Sequence, residues 1–543
     1  MRLSAIYTLI LFLVYGCGTK NSPTVTSSDV PFVWENANVY FLLTDRFHNG
    51  DTSNDFVHPE AAAPYRGFMG GDIKGITAKI NEGYFDRLGI TAIWMTPLIE
   101  NIDGSVDEGT GLSYGFHGYW AKDWTKIDKR LGTEADVQEM VATAHKKGIR
   151  ILMDAVINHT GPVTPQDIQW PKDWVRTTPK CTYKDYLTTT SCTLVDNLPD
   201  IRTESQNEVE LPAHLVEKWK KEGRYDKEKS ELDAFFTRTG YPKRPYYYIV
   251  KWLTDLIRKY GIDGFRVDTV KHTEEDVWTT LYEESEKAFA DWKKSHPSEV
   301  LDDQKFFMVG EVYNYFIGNE RDYDFGDRKV DFYKHGFHAL INFDLKQQKS
   351  TPFSSVFSKY DSLLHGTLAS KTVMNYISSH DDGSPYDKER NQTYESANKL
   401  LLTQGISQIY YGDEVGRSLS VVADGDAVLR SFMPWESLQS DTTKALLMHW
   451  QKLGTFRKNH ISVGAGRHTE ISKDVYSRSY SKGKINDQVI IALNQPMGQK
   501  TILTNQLFKE GTTLMDHYSG KSAIIKNGQV VIDSPFDIVL LEK

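Results

Sequence analysis

Apolar residues recur along this chain in eight short runs, most of them closing on polar residues: NVYFLLTD (38 to 45), ITAIWMTP (90 to 97), RILMDAVIN (150 to 158), GFRVD (264 to 268), FFMVGE (306 to 311), HALINFD (338 to 344), TVMNYISSHD (372 to 381) and ISQIYYGDE (406 to 414). Runs of this length, rich in β-branched and aromatic residues, predict buried strands. Between several of them the apolar spacing turns helical, as in DVQEMVATAHKKG and YIVKWLTDLIRKYG, which close on basic residues and a Gly as helix C-termini do. Eight strands alternating with helices predict an α/β fold, a parallel (β/α)8 TIM barrel. A doubly wound open sheet is the alternative, but it expects a Gly-rich phosphate loop, and no GxGxxG opens a helix here.

The alternation is interrupted after the third strand by residues 160 to 240, read as an inserted domain; its later part, LPAHLVEKWKKEGRYDKEKSELDAFF, is charged and helical in pattern and is expected to present a solvated face. From 460 to 543 short strands such as DVYSRSYS, QVIIALNQ and FDIVLLEK alternate with Gly and Asn turns, which predicts an antiparallel β-sandwich. The barrel then comprises residues 32 to 159 and 241 to 459. Ahead of it, Arg2 and the apolar run SAIYTLILFLVYG have the order of a secretory signal over residues 1 to 16. Val-Tyr-Gly-Cys resembles a bacterial lipobox, which makes Cys17 a lipidation site; an ordinary cleaved signal with an incidental Cys is the alternative. The Ser/Thr-rich stretch to residue 31 reads as a tether. Gly18 after Cys17 points to the outer membrane, so the expected protein is exported and lipid-anchored to the cell envelope, with neighbouring uptake proteins. No later segment has the length and apolarity of a membrane span.

Composition changes this picture little. Across 543 residues, 25% charged residues and a net charge of −9 describe a globular protein with no electrostatic reason to bind nucleic acid. The 12 Trp, 29 Tyr and 25 Phe serve the core and also suit stacking against sugar rings. Cys181 and Cys192 are the only cysteines besides Cys17, and in an exported chain they form a candidate disulfide.

The candidate chemistry sits at the ends of the runs. In GIDGFRVDTVKH, Arg266 and Asp268 share one strand face while Phe265 and Val267 share the other. Asp154, Asn158 and His159 close the third run, Glu311 the fifth, and His380 with Asp381 the seventh. In a parallel barrel those ends build the active site. A single strand-end Asp is usually a cap or turn residue; several such clusters in one register point to a site.

In chain order, DAVINH (154 to 159), GFRVDTVKH (264 to 272), VGEV (309 to 312) and SSHD (378 to 381) resemble the motifs of the α-amylase family, glycoside hydrolase family 13, and FHGYW (116 to 120), LPDI (198 to 201) and IYYGDE (409 to 414) are similar secondary marks. Ser379 departs from the Asn that many members carry there, which bears on a minor substrate contact. The resemblance implies Asp268 as nucleophile, kept ionised by Arg266, with Glu311 as general acid and then base, and Asp381 as transition-state stabiliser. The apolar run ahead of Glu311 predicts a raised pKa. The resemblance further implies that His117, His159 and His380 hydrogen-bond the glucose beside the scissile bond, that Tyr119 stacks beneath it, and that Lys271 and His272 belong to the substrate contacts, Lys271 on the leaving-group side.

Two candidate Ca²⁺ sites follow. NGDTSND gathers the side-chain oxygens of Asn49, Asp51, Asn54 and Asp55, with Gly70 and Asp72 in the next loop, and hard oxygen ligands suit calcium; an Asx-rich turn is the alternative. It is not an EF-hand, because the sixth position is Asn54 rather than Gly. Asn158, Asp200 and the carbonyl of His272 resemble the calcium site that pins the family's inserted B domain to the barrel. The expected function is a retaining α-amylase acting on the α-1,4 bonds of starch, glycogen or maltodextrins. Glucanotransferase or exo-hydrolase action is the alternative within the family, and a non-catalytic glucan-binding protein the alternative of another class.

Overall fold

The computed structural model describes residues 30–543, so the signal run and Cys17 lie outside the described residues. Eight parallel strands close a barrel in consecutive order: β1 Asn38–Leu42, β2 Ala92–Met95, β3 Arg150–Ala155, β4 Gly264–Val267, β5 Phe307–Gly310, β6 Ala339–Asn342, β7 Thr372–Tyr376 and β8 Ile406–Tyr410. Every residue in them is buried, as the unbroken apolar runs imply. The strands stop short of the runs: β3 ends at Ala155 and β7 at Tyr376, leaving Asn158, His159, His380 and Asp381 in the loops beyond. The polar tails of the runs thus collect at one mouth of the barrel.

Register does the finer placing. β4 pairs with β3 so that Arg266 lies beside Asp154, and with β5 so that Val267 lies beside Gly310, one residue before Glu311. The outer helices form where the helical spacing predicts them. Glu134–Lys146 starts at a capping box between Thr133 and Asp136. Pro245–Tyr260 ends at Gly261, whose φ of +72° suits Gly, and a Cβ there would stand 2.1 Å from the Trp292 ring. That helix is closely seated because its terminator has no side chain.

Between β3 and β4 a short antiparallel pair, Val175–Arg176 with Asp200–Ile201, is followed by helices Ala213–Lys221 and Tyr225–Thr239. The charged stretch is not simply a solvated face, which corrects the expectation. Leu215, Trp219, Leu232, Phe235 and Phe236 are buried, and Trp219 Nε1 donates to Asp123 Oδ2 at 3.2 Å. Lys218 Nζ also reaches Asp123 Oδ2 at 2.9 Å, so the charges on this side neutralise buried carboxylate rather than face water. Cys181 and Cys192 are joined in a disulfide. After the barrel, a six-stranded antiparallel sheet and the pair Gly498–Leu503 with Gln529–Ser534 enclose a separate core containing Ile490, Ile502, Leu514, Val530, Ile532 and Val539. Among the described residues no helix is long and apolar enough to cross a membrane.

Candidate active site

Arg266 is the centre of the barrel mouth. Its Nη1 donates to Asp154 Oδ1 at 2.8 Å and to Asp268 Oδ1 at 2.6 Å, and its Nη2 lies 3.0 Å from Glu311 Oε2. The guanidinium is 2% exposed; burial disfavours its charge, but Asp154 and Glu311 outweigh that and hold it firmly protonated. Asp154 is fixed from the other side by Trp94 Nε1 at 2.9 Å and by the Tyr119 hydroxyl at 2.8 Å. Trp94 itself stacks on Phe41 with ring centroids 3.7 Å apart, so the apolar barrel interior aims the polar cluster.

Glu311 follows the buried strand β5, and burial is the main force on it; Asp268 and Asp381 push the same way, against Arg266, and its carboxyl is pushed up to about 8. This agrees with the run of apolar residues that precedes it. Its Oε2 also accepts the Thr269 N–H at 3.0 Å. Thr269 makes that bond from a left-handed backbone, φ +48°, an arrangement that costs a β-branched residue on the order of 1–3 kcal/mol. The strained turn lies directly after Asp268.

Asp268, Asp381, His117, Tyr119 and His380 line one cavity of about 190 Å³. Tyr119 stacks parallel to His380, with centroids 5.3 Å apart, and His159 sits behind it, its Nε2 3.1 Å from the Tyr119 carbonyl. Burial holds His380 near a pKa of about 4 and puts His117 and His159 below the usual value as well, so these rings act as neutral hydrogen-bonding groups at pH 7. Asp381 is at the rim, its side chain 44% exposed, and accepts from Ser379 Oγ at 3.1 Å. Ser379 therefore orients a carboxylate, a use the resemblance did not suggest.

On the other side of the cleft, Lys271 Nζ lies between the rings of Tyr183, Tyr313 and Tyr323, at 5.5, 5.1 and 5.7 Å. His272 is turned away from the cavity: its Nδ1 is 3.0 Å from the Thr189 carbonyl of the insertion, so its ring serves as a strut there rather than a cavity wall. Sequence reasoning missed six cavity residues, Ser113, Trp120 and the four charged ones, Arg66, Glu108, Asp426 and Arg430. Arg430 and Asp426 pair at 2.5 Å one helical turn apart, and Arg430 Nε donates to the His380 carbonyl at 2.8 Å. The i, i+4 charge pair in DGDAVLR was the one available signal, and its place in the fold was not visible.

Of the two candidate metal sites, the loop 49 to 72 offers a cradle. Asn49 Oδ1 and Asn54 Oδ1 are buried without partners. Asn49 Nδ2 donates to Asp55 Oδ1 at 2.8 Å, and a Cβ on Gly70, φ +88°, would stand 2.7 Å from both atoms. Orphaned amide oxygens beside a carboxylate and bare backbone fit a hard cation. Asp72 is nearby but caps the helix Ile73–Asn81 through Gly75 N at 2.6 Å. Asp51 does not fit: its carboxylate is turned to Ser53 and to Lys74, 2.6 Å away. At the second site Asn158 Oδ1 accepts from Thr273 Oγ1 at 3.4 Å, and Asp200 is in contact with Arg176. Among the described residues no three His, Cys, Asp or Glu side chains form a metal-holding group.

Paired carboxyl groups about a buried arginine, at the C-terminal mouth of a parallel barrel, are the working parts of a glycoside hydrolase. The model of the alpha-amylase catalytic domain matches residues 41–453, and the chain belongs to the alpha-amylase family. It is 34% identical over 510 residues to the periplasmic alpha-amylase of Escherichia coli, covering 82% of this chain and 70% of that protein. It is 28% identical to the cyclomaltodextrin glucanotransferase of Bacillus licheniformis, covering 86% of this chain but 60% of the relative's length. Among solved structures, an alpha-amylase from Geobacillus thermoleovorans complexed with acarbose superposes with a TM-score of 0.67 at 21% identity, over 94% of this chain and all of that one.

Proposed function

We propose that this protein hydrolyses α-1,4-glucosidic bonds in starch, glycogen or maltodextrins with retention of configuration. The observation that carries the reading is the division of labour around Arg266: Asp268 bears the guanidinium at 2.6 Å, while Glu311, 3.0 Å from the other nitrogen, keeps its proton to about pH 8. In the first step Asp268 attacks the anomeric carbon as Glu311 gives its proton to the departing glycosidic oxygen, leaving a glycosyl ester. In the second, Glu311 takes a proton from water, which displaces Asp268. Two inversions give net retention. Asp381 stabilises the positive charge that develops on the sugar in the transition state of each step, and His117, Tyr119 and His380 hold the ring, with His159 supporting Tyr119 from behind.

Calcium at the loop 49 to 72 would be held by Asn49, Asn54, Asp55 and the Gly70 backbone and would supply a fixed positive charge that tightens the loop. Export to the periplasm or cell surface is supported by the name of the Escherichia coli relative and by the signal-like start of the chain; lipidation at Cys17 and an outer-membrane position rest on the lipobox-like sequence.

A second reading, glucan transfer, is favoured by one observation. Tyr183 and Tyr313 are 54% and 52% exposed on either side of Lys271, aromatic faces on which an acceptor sugar would stack in place of water. The test is product analysis of residues 21 to 543 on maltoheptaose blocked at its non-reducing end, beside the free sugar. Short linear products from the blocked chain are expected. Cutting of only the free sugar would make the enzyme exo-acting, lengthened or cyclic products would make it a transferase, and no turnover would leave a glucan-binding protein.

A further inference from the structure

The seam between barrel and insertion holds a guanidinium where the family pattern expects a metal. In the short strand pair, Arg176 is placed directly opposite Asp200. Its Nε lies 2.8 Å from Asp200 Oδ2, in ion-pair contact without an aligned hydrogen bond, and its Nη2 reaches Glu204 Oε2. Arg176 is 6% exposed and Asp200 2%, so this is a buried pair that solvent does not screen. Asn158, the next expected ligand, turns its Oδ1 to Thr273, and its backbone carbonyl accepts Ile201 N–H at 2.7 Å. The seam is further acidic: Thr203 Oγ1 donates to Glu274 at 2.6 Å, and Arg202 is 3.9 Å from Glu204.

A calcium ion on Asp200 would bind its oxygen at about 2.3–2.6 Å. It would then press against the like-charged guanidinium on the same carboxylate. The loop 49 to 72 differs in one respect: Asp200 Oδ2, which likewise accepts no hydrogen bond, has the guanidinium 2.8 Å away, whereas the buried Asn49 and Asn54 side-chain oxygens have no hydrogen-bond partner and no such cation set against them. We infer that Arg176 is a built-in cation that takes the metal's place on Asp200, so that the strand carrying Asp200, which meets the barrel end through Ile201 N–H on the Asn158 carbonyl, is held without calcium and the chain takes at most one such ion, at the loop. The loop half of this statement rests on the calcium reading given above; the seam half does not.

Calcium per chain, measured by atomic emission after equilibrium dialysis of residues 21 to 543, separates the two halves. One ion in the unaltered protein and none in an Asn54→Ala/Asp55→Ala variant is the expected result. No ion in either would overturn the loop reading and still support the seam. Two ions in the unaltered protein, or one persisting in the loop variant, would overturn the inference. Arg176→Met should then melt several degrees lower without calcium, bind a second ion and recover its melting temperature in millimolar calcium, whereas Arg176→Lys should do neither. An Arg176→Met variant with unchanged melting temperature and calcium count would also overturn it. If that variant does not fold without calcium, recovery of folded protein by calcium is the same expected result, and failure to fold in calcium as well, with Arg176→Lys equally unfolded, counts against it.

Discussion

Two arginines in this molecule each hold buried carboxylate, and they are used differently. Arg266 contacts three carboxyl groups from two neighbouring strands and its own, and all of them face the barrel mouth. Arg176 contacts Asp200 and Glu204, both from a segment of its own insertion, and none of the three lines the cavity that Asp268 and Asp381 share. The charge chemistry is alike, and position separates the roles. A pair at the strand ends of a barrel meets substrate, whereas a pair in a seam fixes one segment to another.

The largest effect should come from taking chemistry away without disturbing the charge cluster's packing. Asp268→Ala is expected to lower kcat on maltodextrin by on the order of 10⁴-fold, with an unchanged circular dichroism spectrum. Activity within a few fold of the unaltered protein would remove Asp268 from the reaction and erase the contrast between the two arginines. Next in size is Arg266→Met, which leaves Asp154, Asp268 and Glu311 buried without their cation and should destabilise the fold by about 3–5 kcal/mol, read by denaturant unfolding. Arg176→Met should cost stability too, yet in calcium its kcat should stay near normal, while that of Arg266→Met should not recover.

How much of this was legible in the sequence follows from the kind of interaction involved. The eight strands were legible because a buried parallel strand must be apolar throughout, and the carboxylates because they end those runs in a recognisable order. Asp154's place beside Arg266 was not, since it depends on strand register between residues 112 positions apart. Arg430 and Asp426 escaped for the same reason: a charged pair after the last strand reads as surface until the barrel closes and brings Arg430 to the His380 carbonyl. Arg176 in WVRTT carried no signal at all, because nothing in a two-residue strand reveals that its partner strand brings Asp200.

The disulfide offers a smaller test. It closes a loop of 11 residues' separation that carries Tyr183 and Thr189, and Thr189 holds His272 just beyond Lys271. Replacing both Cys181 and Cys192 with Ser should cost about 2–3 kcal/mol at most, seen in thermal unfolding. If the loop also shapes the acceptor side, KM for short maltodextrins should rise more than kcat falls; equal loss in both would confine the disulfide to stability.

The smallest step per unit of change, about 1.4 kcal/mol or tenfold per pH unit, is also the one that reads the Arg266 cluster most directly. Glu311 keeps its proton to about 8 in the folded protein, mainly because burial penalises its charge, against an ordinary value of 4.5. In the proposed role of general acid it must be protonated, so kcat should fall tenfold per unit above about pH 8. The same shift acts on stability with a definite sign. Between 4.5 and about 8 the folded state holds a proton that the unfolded state has released, so rising pH favours unfolding across that window. Glu311→Gln cannot ionise and removes this drift. Its melting temperature should therefore exceed that of the unaltered protein by a margin that widens from pH 5 to pH 8, although its turnover is lost. A constant margin across those pH values would mean that Glu311 ionises normally in the fold, and the acid assignment at the barrel mouth would have to move to another carboxyl group.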